Sequence, residues 1–589
     1  MIVPMKKVAI IIQARDASST VDRVRSLGVL HVEHQTAPRG ADVTALRDDL
    51  ALLDAAISIV RQGAAPAAYA GPLREPDRWK TAALHIVDSY KRLDQLREYG
   101  RALAQRISQW EPWGDFDPQA LAHLAGKGVY LALYQIPVKE LRRLPGDLIV
   151  RELFVSGGTA NCAVVSRKPI SLAYREITPP KNSLRYMQNR LAENEKAIAA
   201  IINDIQRHAR SQEVLVRARN SLAKELESLE VVRGMGAAGA FTYVTGFIPK
   251  DATDEIRETA RREGWGIAID DPSANDQVPT LIRNPRWVST ISPLFRLIEI
   301  LPGYRELDIS LPFLVFFSIF FGILIGDAGY GLIYGCLTFI FHRKMARRGA
   351  RGSNFTLFYV LSLSAIAWGV MTGTFFGQEW VLNAGYKPPV PFLNDQNGMQ
   401  ALCFFLGALH LSIAHAWRAI LKAPSLPALS DIGWIGILWT AFFLAKTLIL
   451  SDPFPGFGKP LFIASCALVI GFTNPQKNIL KTIGEGLGTM ALSLMNNFTD
   501  VISYLRLFAV GLAGVAIANA FNSLAGMVAP QGALGIIGSI VIVSIGHLLG
   551  VVLGPVSVLV HGVRLNVLEF SSHAGVSWSG VAFRPLRVK

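Results

Sequence analysis

From residue 308 onward, apolar stretches of about twenty residues recur, each long enough to cross a hydrocarbon core of roughly 30 Å. The part before Leu307-Asp308 is instead dense in Arg, Lys, Glu and Asp. A chain of 589 residues with a hydrophobic fraction of 51% exceeds one compact soluble domain and is expected to be a polytopic membrane protein. Eight spans are expected, at residues 309–326, 328–342, 355–376, 397–420, 431–450, 457–473, 485–527 and 534–573. The last two exceed what a perpendicular helix needs, so they are expected to be long and tilted.

The formal net charge of +14 raises nucleic acid as a partner, and its placement argues against one. The basic residues cluster at 342–351, at Arg418 and Lys422, at Lys477 and Lys481, and at Arg584, Arg587 and Lys589. These positions fall on alternate loops, whereas the loops at 378–396, 451–456 and 528–533 carry few positive charges. That is the positive-inside pattern, and with an even number of spans it puts both termini in the cytoplasm. At the N-terminus, Lys6 and Lys7 precede a short apolar run at residues 8–12 that meets Arg15 and Asp16 at once, so it reads as a buried strand and not as a secretory signal. Cys162, Cys336, Cys403 and Cys466 lie far apart without C-x-x-C pairing and are expected to be structural.

Residues 1–307 read as a cytoplasmic α+β dumbbell. Two small α/β lobes are expected, one from residues 1–40 with 233–300, which carries strand–helix–strand runs at 7–32 and 241–270, and one from 111–180, with strand-like runs at 128–135, 148–155 and 163–165. They are joined by a long antiparallel coiled coil of residues 42–108 and 182–232. On the second arm Leu184, Met187, Leu191, Ile198, Ile201, Ile205, Leu215, Leu222, Leu226 and Leu229 fit the core positions, and Asn194, His208, Gln212 and Arg219 interrupt the seam. Residues 308–589 continue as an all-α membrane domain. A coil that merely dimerises the protein is the plainer alternative to a docking arm.

The chain carries no G-x-x-x-x-G-K-[ST], H-E-x-x-H or G-x-S-x-G motif, so neither catalysis nor a cofactor is expected. Gly484-Glu485-Gly486-Leu487-Gly488 looks like a phosphate loop, but no strand precedes it and close helix packing explains it better. The informative residues are charges inside the apolar spans, since such groups are costly and face a protein interior or an aqueous cavity. Arg506 lies deep in the seventh span, and at 100° per residue Asn496, Thr499, Ser503 and Arg506 share a stripe about 80° wide. Ser557, His561 and Arg564 share a face with Gly550 and Gly554 in the eighth. A guanidinium stays protonated at any physiological pH, so it cannot relay a proton. It can hold a passing carboxylate ionised, which makes the pair candidates for forcing ion release from a partner acid. The alternative is permanent pairing with an acid of this chain, such as Asp500 or Glu569. Gly511, Ala513, Gly514, Ala516 and Ala518, together with Gly546, Gly550 and Gly554, would admit a partner helix or pack these two helices on each other. Asp327, His410, His415, His547 and His561 are candidate lining groups for aqueous paths.

Three motifs carry a resemblance. They are Phe321-Gly322-Ile323-Leu324-Ile325-Gly326-Asp327-Ala328-Gly329-Tyr330-Gly331, Ser503-Tyr504-Leu505-Arg506-Leu507-Phe508-Ala509, and His561-Gly562-Val563-Arg564-Leu565-Asn566-Val567-Leu568-Glu569-Phe570; Tyr243-Val244-Thr245-Gly246-Phe247-Ile248-Pro249 adds a weaker one. Together they make the chain resemble the membrane-embedded stator subunit of vacuolar- and archaeal-type rotary ATPases, subunit a in eukaryotes and subunit I in bacteria and archaea. The resemblance implies an eight-helix domain against a proteolipid rotor ring, with half-channels for H⁺ or Na⁺. It also implies a soluble arm on peripheral stalks and a central-stalk socket subunit, in a bacterial or archaeal cell membrane. Arg506 and Arg564 match the family's two ring-facing arginines. Eukaryotic relatives carry glutamates where Leu492 and Gly554 stand here, which leaves His561 and Asp500 as substitutes. The ion's identity stays open, because the ring binds it. A self-contained secondary transporter would explain the buried charges but not the long coil, and would be expected to show repeated halves; a membrane scaffold without an ion path would leave the polar faces unexplained.

Overall fold

The computed structural model describes residues 1–63, 79–146, 148–208, 212–347, 355–378, 385–387, 389–476 and 478–587. Arg348, Arg351, Lys477 and Lys589 of the expected basic clusters, part of the 378–396 loop and the side chain of His208 lie outside the described residues. The chain divides into two compact units. One comprises Met1–Ala9, Leu27–His31 and Gly246–Lys589, the other Ile10–Ser26 and Val32–Thr245. The composition break at 307–308 is therefore not where the compact units part.

The boundary runs through strands of one sheet, made by β1 (Met5–Gln13), β2 (His31–Glu33), β7 (Gly236–Ala238), β8 (Phe241–Pro249) and β9 (Gly266–Asp270). Its order is β2-β8-β1-β9, with β7 on β8. The apolar run at residues 8–12 is part of β1, where Val8 and Ile10 are fully buried, as an alternating inward face requires. Helices α1 (Ala17–Leu27) and α7 (Thr253–Glu263) come after β1 and β8. The strand–helix–strand reading of both ends of the soluble part thus matches the elements observed.

Within the second unit a separate four-stranded sheet has the order β4-β5-β3-β6, from β3 (Tyr130–Pro137), β4 (Ile149–Ser156), β5 (Thr159–Ser166) and β6 (Arg175–Ile177). β3 pairs antiparallel with both β5 and β6. Tyr134, Ile136, Ala160, Cys162 and Val164 form its core. Asp117 caps helix α4 (Pro118–Gly126), accepting from the Gln119 amide with Pro118 at the first helical position, the favoured pairing at a helix start. Four long helices complete the unit: α2 (Ala41–Gly63), α3 (Trp79–Trp110), α5 (Leu184–His208) and α6 (Gln212–Arg233). The expected partners for the seam are supplied. Leu53, Ile57 and Val60 of α2 bury against Ile86 of α3 and Leu215 of α6, and Leu103 of α3 meets Leu184 and Met187 of α5. Asn194, one of the seam's interruptions, is satisfied by donating to the Leu96 carbonyl at 2.9 Å.

In the first unit, α8 (Ser292–Leu297) leads to α9 (Ser310–Ile325), α10 (Ala328–Ala346), α11 (Thr356–Thr372), α12 (Gln396–Lys422), α13 (Pro427–Leu450), α14 (Gly458–Phe472), α15 (Ile479–Ser503), α16 (Leu505–Val528) and α17 (Ala533–Ser557). Among the described residues four helical stretches are long and apolar enough to cross a membrane: Gln396–Lys422, Pro427–Leu450, Ile479–Gln531 and Ala533–Ala574. Ser310–Ile325, Thr356–Thr372 and Gly458–Phe472 are shorter apolar helices. Helix α9 is buried on nearly every face, with Phe313, Phe317 and Phe320 in the main core, as a helix apolar all round requires. The Gly326-Asp327 pair ends it and starts the next. Gly326 takes the left-handed conformation at φ 65°, which glycine adopts without strain, and the Asp327 carboxylate accepts from the Tyr330 amide to cap α10. Gly484, Gly486 and Gly488 lie inside α15, and a side chain at Gly486 would collide with the backbone of Ile470 on α14; helix packing and not phosphate binding accounts for that motif.

Candidate ion path in the helical unit

Two stretches position the charges. The seventh runs 53 residues from Ile479 to Gln531, interrupted only at Tyr504, where α15 gives way to α16. The eighth continues past α17 through two π-helical turns, Val558–Gly562 and Leu565–Phe570, into the short helix α18 (Ser571–Ala574). The wheel at 100° per residue that grouped Ser557, His561 and Arg564 does not hold through these turns, because each π-turn inserts an extra residue and rotates the helix beyond it. Sequence periodicity contains no signal for such an insertion.

Tyr504 is fully buried. Its hydroxyl pairs with His410 Nδ1 at 2.8 Å, and the His410 ring stacks between Phe316 and Phe570. His410, a candidate lining group, is thus a packed core residue. Just beyond the interruption, Arg506 and Arg564 converge on one acid. Glu569 Oε1 lies 3.9 Å from Arg506 Nη1 and 3.5 Å from Arg564 Nε. The Glu569 side chain is 5% exposed, those of Arg506 and Arg564 23% and 53%. Both distances exceed hydrogen-bond reach, and Arg506 Nη1 and Glu569 Oε2 are buried without a hydrogen-bond partner. One carboxylate between two permanent cations leaves a positive charge uncompensated, and the Arg506 side chain, 23% exposed, keeps part of its guanidinium stem at the surface. Pairing within the chain is therefore present but incomplete.

The rest of the predicted polar stripe is on α15. Asn496 and Thr499 are exposed, while the Thr499 and Ser503 hydroxyls donate to the carbonyls of Met495 and Thr499, the i−4 bond that such residues make in helices. His561 and Ser557 are half-buried on the eighth stretch. The glycines before Arg564 are filled by this chain. A side chain at Gly550 or Gly554 would meet the Tyr330 or Tyr334 hydroxyl at 2.7 Å, and one at Gly546 would strike Phe521. Packing inside the chain explains them, whereas Gly514 faces open space. His547 pairs with the Tyr330 hydroxyl at 2.9 Å and with Asn522 at 3.1 Å. Asp327 is fully buried, its second oxygen accepting from the Gly377 amide at 2.7 Å. Among the described residues neither bonds to the arginines or to Glu569.

A further group escaped sequence reasoning. Asp500 Oδ2 pairs with His573 Nε2 at 3.1 Å, His573 Nδ1 with His415 Nε2 at 3.0 Å, and His415 Nδ1 with Asp431 Oδ1 at 3.1 Å. Asp431 Oδ2 accepts from Lys422 Nζ at 2.6 Å, and Arg418 Nε lies 3.5 Å from Oδ1. Only Asp500 and His415 were expected to act. Asp431 and His573 stand at span edges, where a lone charge looks like any interfacial residue. All of these groups line a polar cavity of about 350 Å³ that reaches α15 as far as Asp500. A second cavity, of about 160 Å³, touches Gly326, Asp395, Leu507, Phe508 and Gly511. The two thus meet the seventh stretch on either side of Tyr504. A third cavity of about 490 Å³ is almost wholly apolar, lies among α8 to α11 and the end of α17, and is lined by none of these charged groups. Among the described residues no cluster of His, Cys, Asp or Glu has metal-binding geometry.

No protein-family model matches the chain. It is similar to V-type ATP synthase subunit I of Borreliella burgdorferi, 29% identical over 612 residues that cover 100% of this chain and 99% of the relative. V-type ATP synthase subunit I 1 of Treponema pallidum is 30% identical over 636 residues, the whole of both chains. A-type ATP synthase subunit I of Pyrococcus abyssi is 27% identical over 370 residues, covering 58% of this chain and 53% of the relative. Matched end to end by relatives of one description, and carrying the charge-bearing apolar helices described above, the chain belongs to the V-type ATP synthase subunit I family.

Proposed function

We propose that the chain is the non-catalytic stator of a V/A-type rotary ATPase, forming with a proteolipid ring two offset half-channels for H⁺ or Na⁺. One observation carries this reading. Arg506 and Arg564 share Glu569 with one positive charge left over, beside a stretch that one cavity reaches below Tyr504 and another above it. The two cavities share no lining residue, which suits two separate half-channels, and the surplus charge beside them would force a carboxylate arriving from the ring to ionise before it passes. Candidate lining groups are Asn496, Thr499, Asp500 and Ser503 on the seventh stretch, and Ser557, His561 and Glu569 on the eighth; Asp327 and His547 stand farther off. Among the four long apolar stretches, the one holding Arg564 has the least buried apolar window, with 6% of its eighteen residues buried within this chain, and so offers a face to a partner. The soluble part, with its helices α2, α3, α5 and α6, acts as a dumbbell-shaped arm that docks peripheral stalks and the central-stalk socket, and both termini are cytoplasmic.

The test is Arg506→Ala in the assembled complex, with ion transport and ATP hydrolysis measured side by side. Transport is expected to vanish while the complex still assembles. Undiminished coupled transport would reduce Arg506 to a structural charge and overturn the reading. The isolated chain in liposomes is expected to move no solute, whereas a secondary transporter would.

A further inference from the structure

The chain Asp431–His415–His573–Asp500 contains three hydrogen bonds, at 3.1, 3.0 and 3.1 Å, between four groups. Each bond needs one proton, so the row needs three. Two neutral imidazoles bring only two, one per ring, and two ionised carboxylates bring none. A fourth would leave one contact with two protons and no acceptor. The row is complete with one proton more than its neutral rings supply, and that proton belongs to the imidazole pair as a whole.

Asp431, at 2% exposure, is kept ionised by Lys422 and Arg418. Arg418 also donates to the His573 carbonyl at 3.0 Å, and the face of His415 stacks on Trp434. The titratable and charged groups near the two rings include His410, Arg418 and Lys422 from α12, Asp431 from α13 and Asp500 from α15. We infer that this row is a proton relay serving the polar cavity, a route suited to H⁺, with any further ion selection left to the proteolipid ring. The inference rests on the half-channel reading above.

Moving the proton across the 3.0 Å Nε2···Nδ1 contact shifts the charge from His415 to His573. The His573 Nε2–H bond then breaks as an Asp500 Oδ2–H bond forms, Asp500 passes that proton on toward the proteolipid ring's carboxylate, and the imidazole pair regains a proton from hydronium in the cavity, leaving water. No electron changes hands.

The experiment uses the assembled complex in vesicles with a lumen-pH dye and ²²Na⁺. Wild type is expected to acidify the lumen in sodium-free potassium medium and to take up no ²²Na⁺. His573→Ala and His415→Gln are expected to cut the acidification rate at least about ten-fold, the loss expected of a positioned proton-transfer group. Added imidazole, small enough for the cavity, is expected to restore part of the rate in His573→Ala, which a purely structural role would not allow. A sodium requirement in wild type, or unchanged acidification in both variants, would overturn the relay. Arg506→Ala in the same vesicles separates the two ideas. Its loss of transport alongside unaffected histidine variants removes the relay and leaves the stator reading, whereas unaffected transport in Arg506→Ala removes the stator reading itself.

Discussion

Arg506, Arg564 and Glu569 form a charge balance set by three side chains. Glu569 offsets one of two guanidiniums and is itself buried, so removing its charge raises the attraction for any carboxylate that docks beside Arg506. In Glu569→Gln the docked acid is held more tightly, and an extra attraction of about 1.4 kcal/mol slows its release about ten-fold. ATP-driven transport is therefore expected to fall by about that factor, with assembly intact by co-purification. A variant that transports at the wild-type rate would show that Glu569 is not part of the balance. The arginines were legible because an ionisable residue deep in an apolar span stands out against its neighbours. Asp431 and His573 were not, because their meaning lies in what they touch, and the contacts that join them to His415 and Asp500 cross 16, 73 and 158 positions of sequence.

At the scale of the element, apolar periodicity located the long helices, and the seam of α5 and α6 was readable from its core positions. Partner choice was not fixed by the pattern, because residues 42–62 and 80–108 fit equally; packing pairs α2 with α6 and α3 with α5. The π-turns around Arg564 were also hidden, since a wheel assumes one rotation per residue throughout. Leu53 tests the seam. It is fully buried among Ile57, Ile86 and Leu215, and Leu53→Ala leaves a cavity whose cost is about 2–5 kcal/mol. Thermal unfolding is expected to show a lower midpoint for the soluble part, while transport by complexes still assembled at low temperature stays near wild type. A midpoint within a degree of wild type would mean that this contact is not part of a cooperative core.

At the scale of the whole molecule, composition divides the chain near residue 307, yet the compact unit of the apolar helices also holds the first strand's start and the C-terminal tail. The tail returns after α18 because Glu306 collects it. Its carboxylate accepts from the Gly303 amide at 2.7 Å, the Ser577 amide at 3.0 Å and the Trp578 amide at 3.3 Å, and from the Ser577 hydroxyl. Farther on, Thr280 donates to the Val581 carbonyl at 2.7 Å and Leu586 to that of Leu30 at 2.9 Å. Burial alone would raise the Glu306 carboxyl, but hydrogen bonds from Ser577, Gly303 and Ser579 outweigh it and hold the group below its ordinary value. A carboxyl lowered by folding contributes stability that is full above its unfolded value, about 4.3, and is lost as pH falls through the folded value. The clasp is thus intact at neutral pH and releases only as pH falls below the ordinary carboxylate range. Hydrogen exchange of residues 577–586 is expected to quicken over that window in wild type. In Glu306→Gln, which keeps the shape but cannot ionise, exchange should already be fast at pH 7 and change little on acidification. Slow exchange in that variant at pH 7 would assign the tail's anchorage to the strand contacts at Thr280 and Leu30 alone.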